Sequence, residues 1–135
     1  MCIFERDGFM LASLGYDRVK DEHFYRLFGG SIEYGETSTQ AIKREIKEEL
    51  GCKVLNLKYV GIIENIFTFN GRLGHQIAFL YQGDLSNKRL YHKTGLHIKE
   101  KDYEFKAEWI PVADVISGKK IVYPPYDYKS VFGKK

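Results

Sequence analysis

The run Arg44-Glu45-Ile46-Lys47-Glu48-Glu49 crowds three carboxylates into the end of one helical stretch. Glu45 and Glu49 stand i, i+4, where like charges destabilise a helix. Glu48 and Glu49 also sit toward the negative end of the helix dipole, the wrong end for an anion. Sequences that break local rules often do so at functional sites. Repulsion raises the pKa of some clustered carboxyl groups, and a nearby positive charge relieves it. Mg²⁺ takes hard oxygen ligands, keeps several waters and is commonly completed by substrate phosphates. Bound here it would neutralise phosphate charge and activate a water. The bland alternative is a solvated helix face in which Lys43, Arg44 and Lys47 alternate with the acids.

The helix that must carry these groups is well marked. Thr37 is a predicted N-cap with Gln40 as its capping-box partner. Gly51 suits the position just past the C-terminus. Ile42, Ile46 and Leu50 recur at i, i+4, i+8 and form an apolar stripe. At roughly 100° per residue, Glu45, Glu48 and Glu49 fall on the neighbouring side, at the edge of that packing. Glu36 precedes the cap and reaches the cluster only if its loop folds back. Upstream, Gly29-Gly30 can bring backbone close to a ligand.

Around the helix the pattern is strand-like. Residues 3–14 read as a hairpin turning at Arg6-Asp7-Gly8, with a very short first strand. Residues 17–22 and 31–36 read as loops, the second with a short strand at Ile32. Strands are predicted at 54–63, 66–69 and 76–82, with Asn70-Gly71 as the turn between the last two. Residues 84–101 read as a long polar loop, 105–111 as a strand, 112–117 as a short helix closed by Gly118, and the Pro124-Pro125 tail as irregular. The 135 residues suit one α+β domain spanning 1–135. A net charge of +3 is too weak to argue for nucleic-acid or membrane binding. Cys2 and Cys52 make no disulfide framework, so a reduced, cytoplasmic setting is expected.

The stretch 30–52 resembles the Nudix box of MutT-like hydrolases. Gly30 is followed after five residues by Glu36 and after seven more by Arg44-Glu45-Ile46, then Glu48-Glu49 and Gly51. Those positions match the family pattern at the family spacing. Cys52 stands where an aliphatic residue is usual, and cysteine behaves as a small hydrophobe when buried. Phe28-Gly29-Gly30 stands for the usual Pro-Gly-Gly, and Trp109-Ile110-Pro111 is similar to a late family segment.

The resemblance implies an α/β/α sandwich around a mixed sheet, with the box as loop–helix–loop. It implies that Glu45, Glu48 and Glu49 hold Mg²⁺ (or Mn²⁺), with the Gly30 carbonyl as an extra ligand. Glu36 adds a ligand or contacts Arg44, which orients Glu45. The general base is left between Glu45 and Glu104, with Glu100, Asp102 and Glu108 behind them. Gly29, Gly30 and Arg26 are the substrate-binding candidates. Glu64-Asn65 and His75-Gln76 are candidate site linings, and Phe67, Phe69, Tyr81 and Tyr91 candidate base-stackers. The implied activity is hydrolysis of a phosphoanhydride bond in a nucleoside-diphosphate-linked compound, with nucleoside triphosphates first. A non-catalytic nucleotide sensor and an enzyme trimming RNA 5′ phosphates are the alternatives, the second resting on the basic stretch 88–101. Family habit suggests a homodimer.

Overall fold

A computed structural model describes residues 1–100 and 103–132. Its strands are β1 (Cys2–Ile3), β2 (Glu5–Arg6), β3 (Phe9–Asp17), β4 (Glu22–Arg26), β5 (Val54–Phe69), β6 (Arg72–Leu85), β7 (Gly95–Glu100), β8 (Tyr103–Pro111) and β9 (Val122–Tyr123). The α-helices are α1 (Ser38–Leu50), α2 (Val112–Ile116) and α3 (Tyr128–Phe132), with a 3₁₀ turn at Lys88–His92. Two mixed sheets result. One runs β1-β6-β5, the other β7-β8-β3-β4-β9, with β2 hairpinned onto β3.

Period-two alternation divides the core between the two faces of this β layer. Cys2, Phe4 and Leu11 point to one side and pack with Ile42 and Ile46 of α1, Phe28, Ile98 and Ala107. Met1, Ile3, Met10 and Ala12 point to the other, against Val112 of α2, Tyr128 of α3 and Ile110. Helices therefore cover both faces, and the architecture is the mixed α+β one expected, with its strands divided between two sheets. Each fully buried Ile or Leu side chain contributes roughly 1.5–3 kcal/mol.

The expected hairpin at the N-terminus forms between β2 and β3. Cys2–Ile3 instead crosses to the other sheet and pairs in parallel with Tyr81 and Gln82. The two strands expected at 54–63 and 66–69 are one strand, β5, because alternation continues through exposed Glu64 and buried Asn65. Its partner β6 starts at Arg72, so Phe69 faces Arg72 across the turn. Asn70 and Gly71 both take positive φ, 50° and 80°, as a two-residue hairpin turn requires. No strand forms at Ile32. The polar stretch read as a loop at 84–101 contains the 3₁₀ turn and β7. Leu96 and Ile98 alternate with exposed His97 and Lys99 there, a strand signal masked by the surrounding charge. The tail read as irregular contains β9 and α3. Asp102 and Lys101 lie outside the described residues.

Candidate active site

The helix that carries the acids begins and ends where its capping residues dictate. Thr37 Oγ1 accepts from the Gln40 backbone N–H at 3.2 Å, and Gln40 Oε1 accepts from the Thr37 N–H at 2.9 Å. Gly51 closes the helix in the left-handed conformation, its N–H donating to the Lys47 carbonyl at 3.0 Å. Ala41, Ile42 and Ile46 are buried, so the helix is anchored by the face next to its acids. Phe28 is also buried and its carbonyl accepts from the Cys2 N–H, which moors the strand leading into Gly29-Gly30. Cys52, just past the helix, sits in the same core as Ile42 and Ile46.

Arg44 is the hub of the site. Its Nε and Nη2 donate to the two carboxylate oxygens of Glu36 at 2.7 and 2.9 Å, a bidentate fork. Nη2 also donates to the Ser31 carbonyl at 3.0 Å. Nη1 donates to Glu45 Oε1 at 2.8 Å and Glu48 Oε2 at 3.5 Å, with Glu33 Oε1 at 3.7 Å. The loop before the helix therefore does fold back, and Glu36 is brought to the helix from eight positions upstream. The Arg44 guanidinium, then the Glu33 N–H, hold the Glu36 carboxyl down at about 2. In return the Glu36 and then the Glu45 carboxylates push Arg44 further above its ordinary range.

Gly30 lies against Glu45. A Cβ at residue 30 would stand 2.5 Å from the Glu45 carboxyl carbon, so any side chain there would push this acid aside. Gly29 is packed as tightly on the Met1 backbone, at 2.8 Å from a built Cβ. Among the described residues, no three carboxyl, thiol or imidazole groups converge as a metal-binding set. Glu45 and Glu48 both turn to Nη1 of Arg44, which serves as their shared counter-charge. Glu49, half-buried, is on the same turn as Glu48. By chemistry the donor set still suits a hard cation: carboxylates on adjacent turns beside a glycine cradle that a side chain would fill.

Two clefts flank this region. One, of about 250 Å³, is lined by Gly30, Ser31, Ser38, Ile42 and the β6 residues Gln76 to Phe79. The other, of about 160 Å³, lies between β4 and the β5–β6 hairpin and includes Arg26, Phe24, Asn65, Phe67 and Phe69. Met1 and Gln76 belong to both walls. Arg26 thus lies in the second cleft, away from the Arg44 cluster. Of the flanking pairs singled out by sequence, Asn65 and Gln76 line a cleft, while Glu64 and His75 alternate to the exposed face. Phe67 and Phe69 line it too. Tyr81 and Tyr91 pack against the core instead. Glu104 is on the β7–β8 hairpin, where its Oε2 meets His97 Nε2 at 2.8 Å, and is not joined to Arg44. Glu108 accepts from the Tyr25 hydroxyl at 2.8 Å. Tyr123 and Pro124, which close the second cleft, belong to the tail read from sequence as irregular and were given no site role, because that tail carries no periodic signal.

The NUDIX domain model matches residues 1–130. The chain belongs to the NUDIX family. It is 28% identical over 113 residues to a Mycobacterium tuberculosis protein that carries the mutator name MutT4, covering 83% of this chain and 42% of that one. The chain therefore spans less than half of that relative's length. It is 26% identical over 126 residues to the RNA pyrophosphohydrolase of Pseudoalteromonas atlantica, covering 84% of this chain and 72% of that one. A solved NUDIX hydrolase from Nitrosomonas europaea superposes with a TM-score of 0.63 at 20% identity, over 96% of this chain and 82% of that one. That likeness speaks for the NUDIX fold. Among the described residues no helix is long and apolar enough to cross a membrane.

Proposed function

We propose that this NUDIX protein is a Mg²⁺-dependent pyrophosphohydrolase that cuts a phosphoanhydride bond in a nucleoside-diphosphate-linked compound, with nucleoside triphosphates the first class to test. The observation that carries the reading is the clustering of Glu45 and Glu48 on Arg44, beside a glycine loop that lets the backbone at residue 30 approach the Glu45 carboxyl. A stable helix needs none of this.

Glu45, Glu48 and Glu49, with the Gly30 carbonyl, are the groups that would hold the metal. Bound there, Mg²⁺ would supply charge neutralisation for the pyrophosphate and acidify a water. Glu36 is already saturated by Arg44 and the Glu33 N–H, so its role is to fix Arg44 and the loop. Arg44 holds Glu45 in place through Nη1 and donates its remaining charge to the site. Glu45 is the acid that lies against Gly30 and is the favoured proton acceptor. Glu104, engaged with His97, is the weaker choice. The 250 Å³ cleft beside Gly30 and Ser38 gives the phosphates a place next to these groups.

The test is a hydrolysis screen with Mg²⁺ or Mn²⁺ over nucleoside triphosphates, nucleotide sugars, dinucleoside polyphosphates and 5′-triphosphorylated RNA. The RNA arm is included because one relative is named for that reaction. Glu48→Gln should lower turnover by a large factor with the fold retained, since it removes a ligand and relieves repulsion together. Parent-like turnover in that variant overturns the metal assignment. A parent that binds nucleotide but cleaves nothing overturns the enzymatic reading in favour of a sensor.

A further inference from the structure

The β5–β6 ribbon breaks the pattern that a surface sheet follows. An antiparallel ribbon with one packed face alternates apolar inward and polar outward. Here both strands carry unbroken apolar runs, Tyr59-Val60-Gly61-Ile62-Ile63 on β5 and Ile77-Ala78-Phe79-Leu80-Tyr81 on β6. Asn65, Ala78 and Leu80 point inward and are buried. The opposite face carries Ile62, Glu64 and Ile66, paired across the ribbon with Phe79, Ile77 and His75. Leu73 extends this face toward the hairpin turn. Ile62 is 54% exposed, Ile66 67%, Leu73 78% and Ile77 57%. Runs of this kind belong to strands that are buried on both faces.

Helix α1 covers one end of the face only. There Tyr81 joins the core, and its hydroxyl stands 2.7 Å from Ser38 Oγ. The next two outward residues of β6, Phe79 and Ile77, line the cleft beside Gly30 and Ile32. Beyond them Ile62, Ile66 and Leu73 stand in solvent. With exposed Tyr59, which meets Tyr81 edge-on, and Ile77, they offer on the order of 100 Å² each, or about 500 Å² in all. A patch of that size is at the upper end for a monomer. Two such patches face to face bury about 1,000 Å², where specific interfaces begin.

The chemistry of the face selects the occupant. Its charged or titratable members are Glu64 and His75, and it carries no Lys or Arg, so it has nothing to attract a polyanion or an anionic membrane. Two strands side by side form no groove for a helix, but they suit a second sheet packed at about 10 Å. A two-fold contact sets a patch against itself, which requires a patch without like charges in excess. One acid and one imidazole among aliphatic side chains meet that requirement.

We propose that the outer face of the β5–β6 ribbon packs on the same face of a second copy of this chain. Edge-to-edge pairing along β5 would leave the apolar face in water. Through Ile77 and Phe79 the second copy borders the cleft beside Gly30. That its presence bears on the phosphates rests on the function proposed above; the interface itself does not.

The test is sedimentation equilibrium of the parent, Ile66→Lys, Leu73→Lys and Ile116→Lys over roughly 1–200 µM. Ile116 is the control, an exposed apolar residue on α2 away from the ribbon. The parent and Ile116→Lys should pass from the mass of one chain to that of two as concentration rises. Each ribbon variant should raise the dissociation constant by at least about tenfold, since a lysine would be buried in the contact. Both sites are exposed in the single chain, so thermal melts of the dilute proteins should agree, and either variant carries the test if the other folds poorly. A parent that stays monomeric, masses beyond two chains, parent-like association in the ribbon variants, or equal loss in Ile116→Lys overturns the proposal. No nucleotide or metal enters the measurement, so such a result leaves the hydrolytic reading to stand or fall on Glu48→Gln.

Discussion

Gly30→Ala separates position from fold. The new Cβ would lie 2.5 Å from Cδ and Oε1 of Glu45 and 2.8 Å from Oε2, whereas ordinary contact is 3.4–4 Å. The carboxyl must therefore retreat by about 1 Å, or the loop must rise by as much. Glu45 is not free to swing without consequence, because Arg44 Nη1 holds it at 2.8 Å and the same guanidinium holds Glu36 and Ser31. A displacement of about 1 Å at a reacting group can cost on the order of 10²-fold in rate. Stability should hardly change. The colliding atoms are the far end of a flexible side chain, and φ at residue 30 is outside the left-handed range. A shift within about 0.5 kcal/mol is the expected size. The assay is steady-state release of phosphate or pyrophosphate from the best substrate, beside a thermal melt of the same preparation. A roughly hundredfold fall in kcat with an unmoved melting midpoint supports the geometry. Parent-like turnover would refute the claim that the Gly30–Glu45 approach matters, and a collapsed melt would refute the claim that the contact is purely positional.

Two further outcomes follow from the same contacts. Ile46 is fully buried beneath the acidic helix, so Ile46→Ala should cost about 2–5 kcal/mol in urea unfolding with an unchanged slope; a cost under about 1 kcal/mol would mean that the helix is not anchored there. Glu36 falls from an ordinary 4.5 to about 2 in the folded protein, chiefly through Arg44. A lowered folded pKa gives stability that is present above the unfolded value and lost as pH drops through the folded one. The parent should therefore lose stability between about pH 4.5 and 2, and Glu36→Gln should be less stable near neutrality and show a flatter profile in that window. Parallel profiles would sink the assigned role of Arg44.

Arg44 eases part of the acid crowding near the helix end. Its single charge is shared between Glu45 and Glu48 on the helix and Glu36 and Glu33 on the loop, so the cluster keeps a negative excess. The local conflict visible in the sequence is thus relieved only in part, by a guanidinium whose reach depends on the loop folding back.

The sequence by itself determined the helix and its contents. Thr37, Gln40 and Gly51 act on neighbours within a turn, and the spacing of Ile42 and Ile46 needs only the helical period, so both were readable before any fold was known. The Asn70-Gly71 hairpin was readable for the same reason. Strand β7 was hidden because its alternation is short and set in a basic stretch, where propensity argues for a loop. Which of Glu36, Glu104 and Arg26 would meet the acidic helix was beyond local rules. Glu36 arrives through a loop closed by Arg44, Glu104 is turned to His97 on the β7–β8 hairpin, and Arg26 falls on the wall of another cleft. That cleft was decided by tertiary structure alone: its walls come from β4, β5, β6 and the segment at Tyr123, strands of two different sheets, which no local rule could bring to a common slot.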